Sequence, residues 1–75
     1  MGQPSIYKEQ HQYIIKRLKS ARSESGLDQS KVAQLLNKTQ SYVSKVESGQ
    51  RRIDVVQLSE FARVYRKNLN YFIKE

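Results

Sequence analysis

Two short amphipathic helices joined by a brief turn constrain the fold of this chain more than any other feature of its sequence. The second follows Thr39, whose hydroxyl can cap a helix, and it directs Val43 and Val46 to one side. The first follows Asp28, and its apolar side consists of Val32, Ala33, Leu35 and Leu36. The sequence therefore predicts a helix-turn-helix unit, with helix two at about 29–36 and helix three at about 40–47.

A long helix is predicted before this unit. Ser5 can cap it, and Gly26 suits the left-handed position just past its end. Its stripe of side chains recurs at helical spacing and contains Tyr7, His11, Ile14, Ile15, Leu18 and Ala21.

Two further helices are predicted after the unit. Asp54 and Gln57 have capping-box spacing for the fourth, whose buried side contains Val55, Leu58, Phe61, Ala62 and Tyr65. Asn68 can cap a short fifth helix with Leu69, Phe72 and Ile73. No strand pattern occurs, so we expect an all-α, compact five-helix bundle. It forms a single domain of residues 6–75 behind a flexible leader of residues 1–5.

The charge of the chain favours a polyanionic partner. The formal net charge is +7, and the stretch from Gln29 to Arg52 has Glu47 as its one acidic residue. A basic excess of this size in a small domain attracts nucleic acid, although a solvated basic surface kept for solubility is the alternative.

Other classes of function find little support. The chain has no cysteine and one histidine, which argues against a disulfide framework, a metal site or a cofactor. Ser44 has no histidine within helical reach, and neither paired carboxylates nor a phosphate loop occur, so we expect no enzyme and no small-molecule ligand. No run approaches the roughly 20 apolar residues of a membrane span. We expect a cytoplasmic protein.

Helix three carries the candidate residues for reading DNA. With its two valines directed inward, the opposite side presents Gln40, Ser41, Ser44 and Lys45. Gln can bond adenine at N6 and N7, Lys can donate to guanine O6 and N7, and Ser can bond several base edges. Taken alone, these residues also fit an ordinary solvent-facing surface.

The neighbouring residues predict contacts with phosphate. Free amides after Thr39 favour an anion, and Gln29 stands at the start of helix two. Arg51 and Arg52 follow helix three, where both can clamp the DNA backbone. The ammonium group of Lys38 can reach a phosphate, or its stem can cover apolar surface.

Residues from about 15 to 73 resemble the lambda-repressor-like, or XRE-type, helix-turn-helix family, which includes phage repressors and Cro proteins. The matching residues are Leu18, Ala21, Arg22, Gly26, Leu27, Gln29, Val32, Ala33, Leu36, Tyr42, Val43, Ser44, Lys45, Val46, Glu47, Gly49, Leu58 and Ala62.

This resemblance implies that helix three enters the major groove of double-stranded DNA. It also implies that Tyr42 packs against the sugar-phosphate edge, with a partly buried core position as an equal alternative. Arg22 and Glu47 match an arginine–glutamate pair that ties helix one to helix three; a phosphate contact by Arg22 is the alternative. The chain departs from the family in having Asn37 for a turn glycine, Lys38 for an apolar residue, and no proline near Ile53.

The resemblance further implies a transcriptional regulator that binds a palindromic operator as a homodimer. The candidate dimer residues are Leu69, Tyr71, Phe72 and Ile73, although Phe72 can instead close the core of its own protomer. A second candidate surface contains Ile6, Tyr7 and Tyr13. Small members of the family also serve as restriction-modification controllers and antitoxins. An antitoxin, or an adaptor that binds an acidic protein partner, is therefore the alternative function.

Overall fold

The structure, a computed structural model, describes the backbone of residues 6–74 and the side chains of residues 8–74. The predicted leader, the predicted cap at Ser5 and the side chains of Ile6 and Tyr7 lie outside the described residues. The described chain is all-helical. Its elements are α1 (Ile6–Ser25), α2 (Gln29–Leu36), α3 (Gln40–Glu47), α4 (Val55–Tyr65) and a 3-10 helix (Leu69–Phe72).

The prediction of five α-helices is wrong, because the last element is a single 3-10 turn. The amide of Tyr71 donates to the carbonyl of Asn68, and the amide of Ile73 donates to that of Asn70. These bonds span three residues, and the Asn68 side chain makes no capping bond. A segment of four residues has too few hydrogen bonds to nucleate an α-helix on its own, so tertiary contacts decide its form.

Side-chain caps set the starts of the other short helices. Asp28 accepts a hydrogen bond from the amide of Lys31, and Thr39 accepts one from the amide of Tyr42. The capping box at the start of α4 is complete, since Asp54 and Gln57 each bond the backbone of the other. Each cap satisfies an amide that would otherwise lack a partner.

Non-glycine residues in the left-handed conformation end two of the helices. Asn37 has φ 59° after α2, and asparagine tolerates this conformation better than most other non-glycine residues. Arg66 has φ 58° after α4, which the sequence did not indicate. In both cases the amide bonds carbonyls of the last turn, so the chain can reverse without leaving these groups unpaired.

Gly49 follows the end of α3 and lies close to α1. Its φ is +85°, which favours glycine, and a Cβ added there would lie 3.2 Å from Cδ1 of Ile15 and 3.9 Å from Nε2 of His11. A side chain at this position would therefore strain the backbone and require Ile15 on α1 to shift.

One core joins all five elements. Its fully or almost fully buried residues are Leu18, Ala21, Val32, Ala33, Val43, Val46, Leu58, Phe61, Ala62, Tyr65 and Phe72. Two predicted core residues are exposed instead: Leu35 at 53% and Val55 at 64%. Leu35 points roughly 100° around the helix from the centre of the buried stripe, and Val55 is the first residue of α4, beyond the packed neighbours.

The C-terminal segment is fastened along α1. Nε of Arg17 donates to the carbonyl of Tyr71 at 2.8 Å, and its guanidinium carbon lies 3.7 Å from the centroid of the Tyr71 ring. Gln10 exchanges hydrogen bonds with the backbone of Lys74. Although α1 is the longest helix, no helix in the described part of the chain is long and apolar enough to cross a membrane.

Candidate nucleic-acid interface

The two faces of α3 differ sharply in exposure. Val43 and Val46 are 0% and 2% exposed, which anchors the helix in the core. The side chains on the outer face are all exposed, and they are the four residues that the sequence predicts to face DNA bases: Gln40, Ser41, Ser44 and Lys45. Because the buried valines fix the rotation of the helix, these four polar groups are held on an open surface.

A basic groove runs along one side of α3. Its volume is about 620 Å³, and its lining residues are Asn37, Lys38, Thr39, Ser41, Tyr42, Lys45 and Arg51. The α3–α4 loop closes this groove, because the amides of Gln50 and Arg51 both donate to the carbonyl of Lys45, at 2.9 and 3.1 Å. The turn before α3, the helix itself and the loop after it thus each contribute one cation. Arg52 is exposed in the same loop, outside the lining of the groove.

Tyr42 is partly buried and packs against the core. Its hydroxyl oxygen is shielded from solvent, and this burial raises the pKa of the phenol although nearby Arg51 opposes the shift. The ring stacks on Phe61, with centroids 6.1 Å apart and planes 13° from parallel. The structure therefore agrees with the partly buried alternative, and a contact of Tyr42 with the sugar-phosphate edge stays a prediction.

A carboxylate cluster of Arg22, Gln29 and Glu47 lies on the other side of α3. Nε and Nη2 of Arg22 donate to Oε2 and Oε1 of Glu47 at 2.7 and 3.0 Å. Nε2 of Gln29 donates to the same Oε1 at 3.0 Å. The carboxylate raises the pKa of the Arg22 guanidinium, chiefly through these hydrogen bonds. The Glu47 side chain is 4% exposed and that of Arg22 is 25% exposed.

The carboxylate cluster ties three helices together, since its members belong to α1, α2 and α3. Arg22 also donates to the carbonyl of Leu27 at 3.2 Å, so three of its N–H groups are engaged within the protein. This arrangement gives Arg22 an architectural role. Gln29 retains one amide hydrogen beyond its bond to Glu47, and its contact with phosphate stays a prediction.

A second depression of about 400 Å³ lies beside the carboxylate cluster. The helix α3 therefore lies between two surface depressions. The sequence analysis did not single out Lys19 or Ser48, which line this depression together with Ser44. Only the spacing of Ser44 on α3 and Ser48 at its C-cap, one turn apart, signals that these two share a face.

Comparison with known proteins assigns the family. A model of the helix-turn-helix family matches residues 18–72, which include every element from the second half of α1 to the 3-10 helix. The chain belongs to the XRE-type helix-turn-helix family. No curated protein matches the chain. Members of this family are DNA-binding transcription regulators, and the family is not typically enzymatic.

Within this helix-turn-helix domain, the four candidate dimer residues differ in how far they are exposed to solvent. Phe72 is 0% exposed and packs in the core of its own protomer, which agrees with the alternative interpretation of this residue. Leu69 and Tyr71 pack partly against the core, and Ile73 is 41% exposed. On the second candidate surface, Tyr13 is half-buried, with the Arg17 guanidinium 5.6 Å from its ring centroid.

Proposed function

We propose that this helix-turn-helix protein is a sequence-specific regulator of transcription that binds a palindromic operator as a homodimer. Family membership gives the coarser activity, binding of double-stranded DNA. The finer proposal assigns base contacts to the outer face of α3 and backbone contacts to the residues around it.

The exposed polar face of α3 carries this proposal. Gln40 and Lys45 present an amide and an ammonium group to solvent, and both groups can bond purine edges in the major groove. The serines between them are short, so they let the helix approach the bases closely. Since two buried valines fix α3 in the core, the side of the helix that presents these groups is set before binding.

The basic groove supports a backbone contact beside the bases. Lys38, Lys45 and Arg51 line it, and no acidic side chain does. Thr39 begins α3 there, where free amides and the helix dipole favour an anion. We assign to phosphate the residues Gln29, Lys38, Thr39, Arg51 and Arg52.

A homodimer would place two copies of α3 about 34 Å apart on one face of the DNA. Among the candidates for its interface, Ile73 offers the most accessible apolar side chain, flanked by Tyr71 and Leu69. Substitution of Ile73 by Asp tests this surface: sedimentation should show a dimer for the wild type and a monomer for the variant.

Selection of bound sequences from random duplex DNA, followed by binding of the selected duplex over a salt series, tests the whole proposal. An inverted repeat with half-sites about one turn apart is the expected result. Recovery of no motif, with only steep salt-dependent binding, would contradict sequence-specific recognition and would direct the search to a protein partner.

A further inference from the structure

The ring of Tyr42 lies next to two cations that come from opposite ends of α3. Nζ of Lys38, in the turn before the helix, is 5.3 Å from the ring centroid. The guanidinium carbon of Arg51, in the loop after the helix, is 5.0 Å from it. Phe61, which is 0% exposed, fixes the ring by stacking. The ring of Tyr42 thus extends from the buried Phe61 to the surface where both cations line the basic groove.

We propose that Tyr42 is a positioning residue for DNA binding, whose ring holds Lys38 and Arg51 in the basic groove so that a phosphate meets two prearranged cations. The inference rests on the proposed function, because the DNA phosphate is the ligand of those cations. It replaces a direct phosphate contact by Tyr42 with an indirect role.

An aromatic ring suits this role better than a carboxylate would. Long basic side chains lose conformational entropy when a ligand fixes them, so prearrangement strengthens binding. The face of a ring attracts a cation through its quadrupole, yet it carries no net charge that would repel phosphate. The basic groove therefore keeps its full positive charge while its side chains are held.

This role also gives the Lys38 side chain a defined place next to the cap of α3. Here the lysine side chain has an aromatic surface to lie on, and its ammonium group remains at the groove. Because Lys38 and Arg51 share one ring, their contributions to DNA affinity should be coupled through Tyr42.

Fluorescence anisotropy with a duplex of arbitrary sequence tests the proposal, since phosphate contacts do not depend on sequence. Tyr42→Leu should weaken binding roughly tenfold, whereas Tyr42→Phe, which keeps the ring, should bind like the wild type. In a Lys38→Gln, Arg51→Gln background, Tyr42→Leu should change affinity less than about twofold, because no cation is left to position. Unfolding curves establish that each variant is folded at the assay temperature.

Two results would overturn the proposal. One is wild-type affinity in Tyr42→Leu. The other is an equal loss in both backgrounds, since Tyr42 would then act through the fold or by direct contact. Failure of the wild type to bind any duplex would instead refute the proposed function itself, and the two failures are thereby distinguished.

NMR of the free protein gives a second readout that needs no DNA. Ring-current shifts on the side-chain protons of Arg51 should persist in Tyr42→Phe and vanish in a variant without the ring. If Tyr42→Leu does not fold, Tyr42→Met serves in both experiments. Unchanged Arg51 shifts in a folded variant without the ring would also overturn the proposal.

Discussion

The two sides of α3 use charged residues in opposite ways. In the carboxylate cluster, a carboxylate that is 4% exposed accepts three hydrogen bonds and is neutralised by Arg22. In the basic groove, the cations lie at the surface, and two of them, Lys38 and Arg51, lie beside the ring of Tyr42 rather than beside an acid. One set of charges orients helices, and the other remains available to a ligand.

This difference shows why a basic surface can tolerate Glu47. An exposed carboxylate on α3 would repel phosphate and weaken the field of the basic groove. Burial within the carboxylate cluster removes that repulsion, and the same hydrogen bonds fix α3 against α1 and α2. The acid in the basic stretch therefore serves the fold, and under the proposed function its burial keeps it away from the phosphates.

The largest effect should come from breaking the carboxylate cluster. Arg22→Ala leaves the buried carboxylate of Glu47 with Gln29 as its remaining partner, and we expect a loss of about 2–4 kcal/mol in the free energy of unfolding. Urea unfolding measures this loss. The double variant Arg22→Met, Glu47→Leu should lose less, because it leaves no buried charge; a larger loss in the double variant would contradict the account.

A smaller effect should come from the neutral member of the same cluster. Gln29→Ala removes one hydrogen bond to a carboxylate, so we expect about 1.5 kcal/mol less stability. Gln34→Ala, an exposed glutamine on the same helix, is the matched control and should change stability by less than about 0.5 kcal/mol. Equal effects of the two substitutions would mean that Gln29 contributes nothing through Glu47.

Substitutions in the basic groove should affect DNA binding rather than the stability of the fold. Arg51→Gln should leave stability within about 0.5 kcal/mol, weaken binding to all duplexes alike, and reduce the salt slope by about 0.9. Arg63→Gln, an exposed arginine on α4 outside the groove, should leave the slope unchanged. The same slope change in both variants would show that only total charge matters.

The smallest expected effect is a change in the pH dependence of stability, and it involves an ion pair outside α3. The hydrogen bond from Lys67 lowers the pKa of the exposed Glu24 carboxyl, so this pair stabilises the fold above the ordinary carboxyl pKa. The contribution is lost as pH falls through the lowered value. In Glu24→Gln, the free energy of unfolding should depend slightly less on pH in this acidic range, which urea unfolding at a series of pH values measures. An unchanged pH dependence would show that the pair contributes nothing.

Local chemistry made much of the fold predictable. Asp28, Thr39 and Asp54 each stand before an apolar periodicity, and in the structure each of them caps a helix. The 3-10 helix was mistaken for an α-helix because its form depends on packing of Phe72 rather than on local pattern. The exposure of Val55 does not follow from the sequence, because periodicity alone does not show where the neighbouring helices end.

The side-chain contacts of the candidate site are harder to predict from the sequence than the helices are. The pairing of Arg22 with Glu47 was expected from the family resemblance, and the structure joins these residues. The bond from Gln29 to Glu47 and the placement of Arg51 beside Tyr42 join side chains that are distant in the sequence. No local pattern marks such contacts. The assignments of base and phosphate contacts remain predictions.

Binding of variants to the selected operator and to a scrambled duplex tests the central claim most directly. Gln40→Ala and Lys45→Ala should each cost on the order of 1–3 kcal/mol on the operator and much less on the scrambled duplex. Gln34→Ala on α2 should bind both duplexes like the wild type. If the α3 variants instead lost equal affinity for both duplexes, base recognition by the outer face of α3 would be wrong.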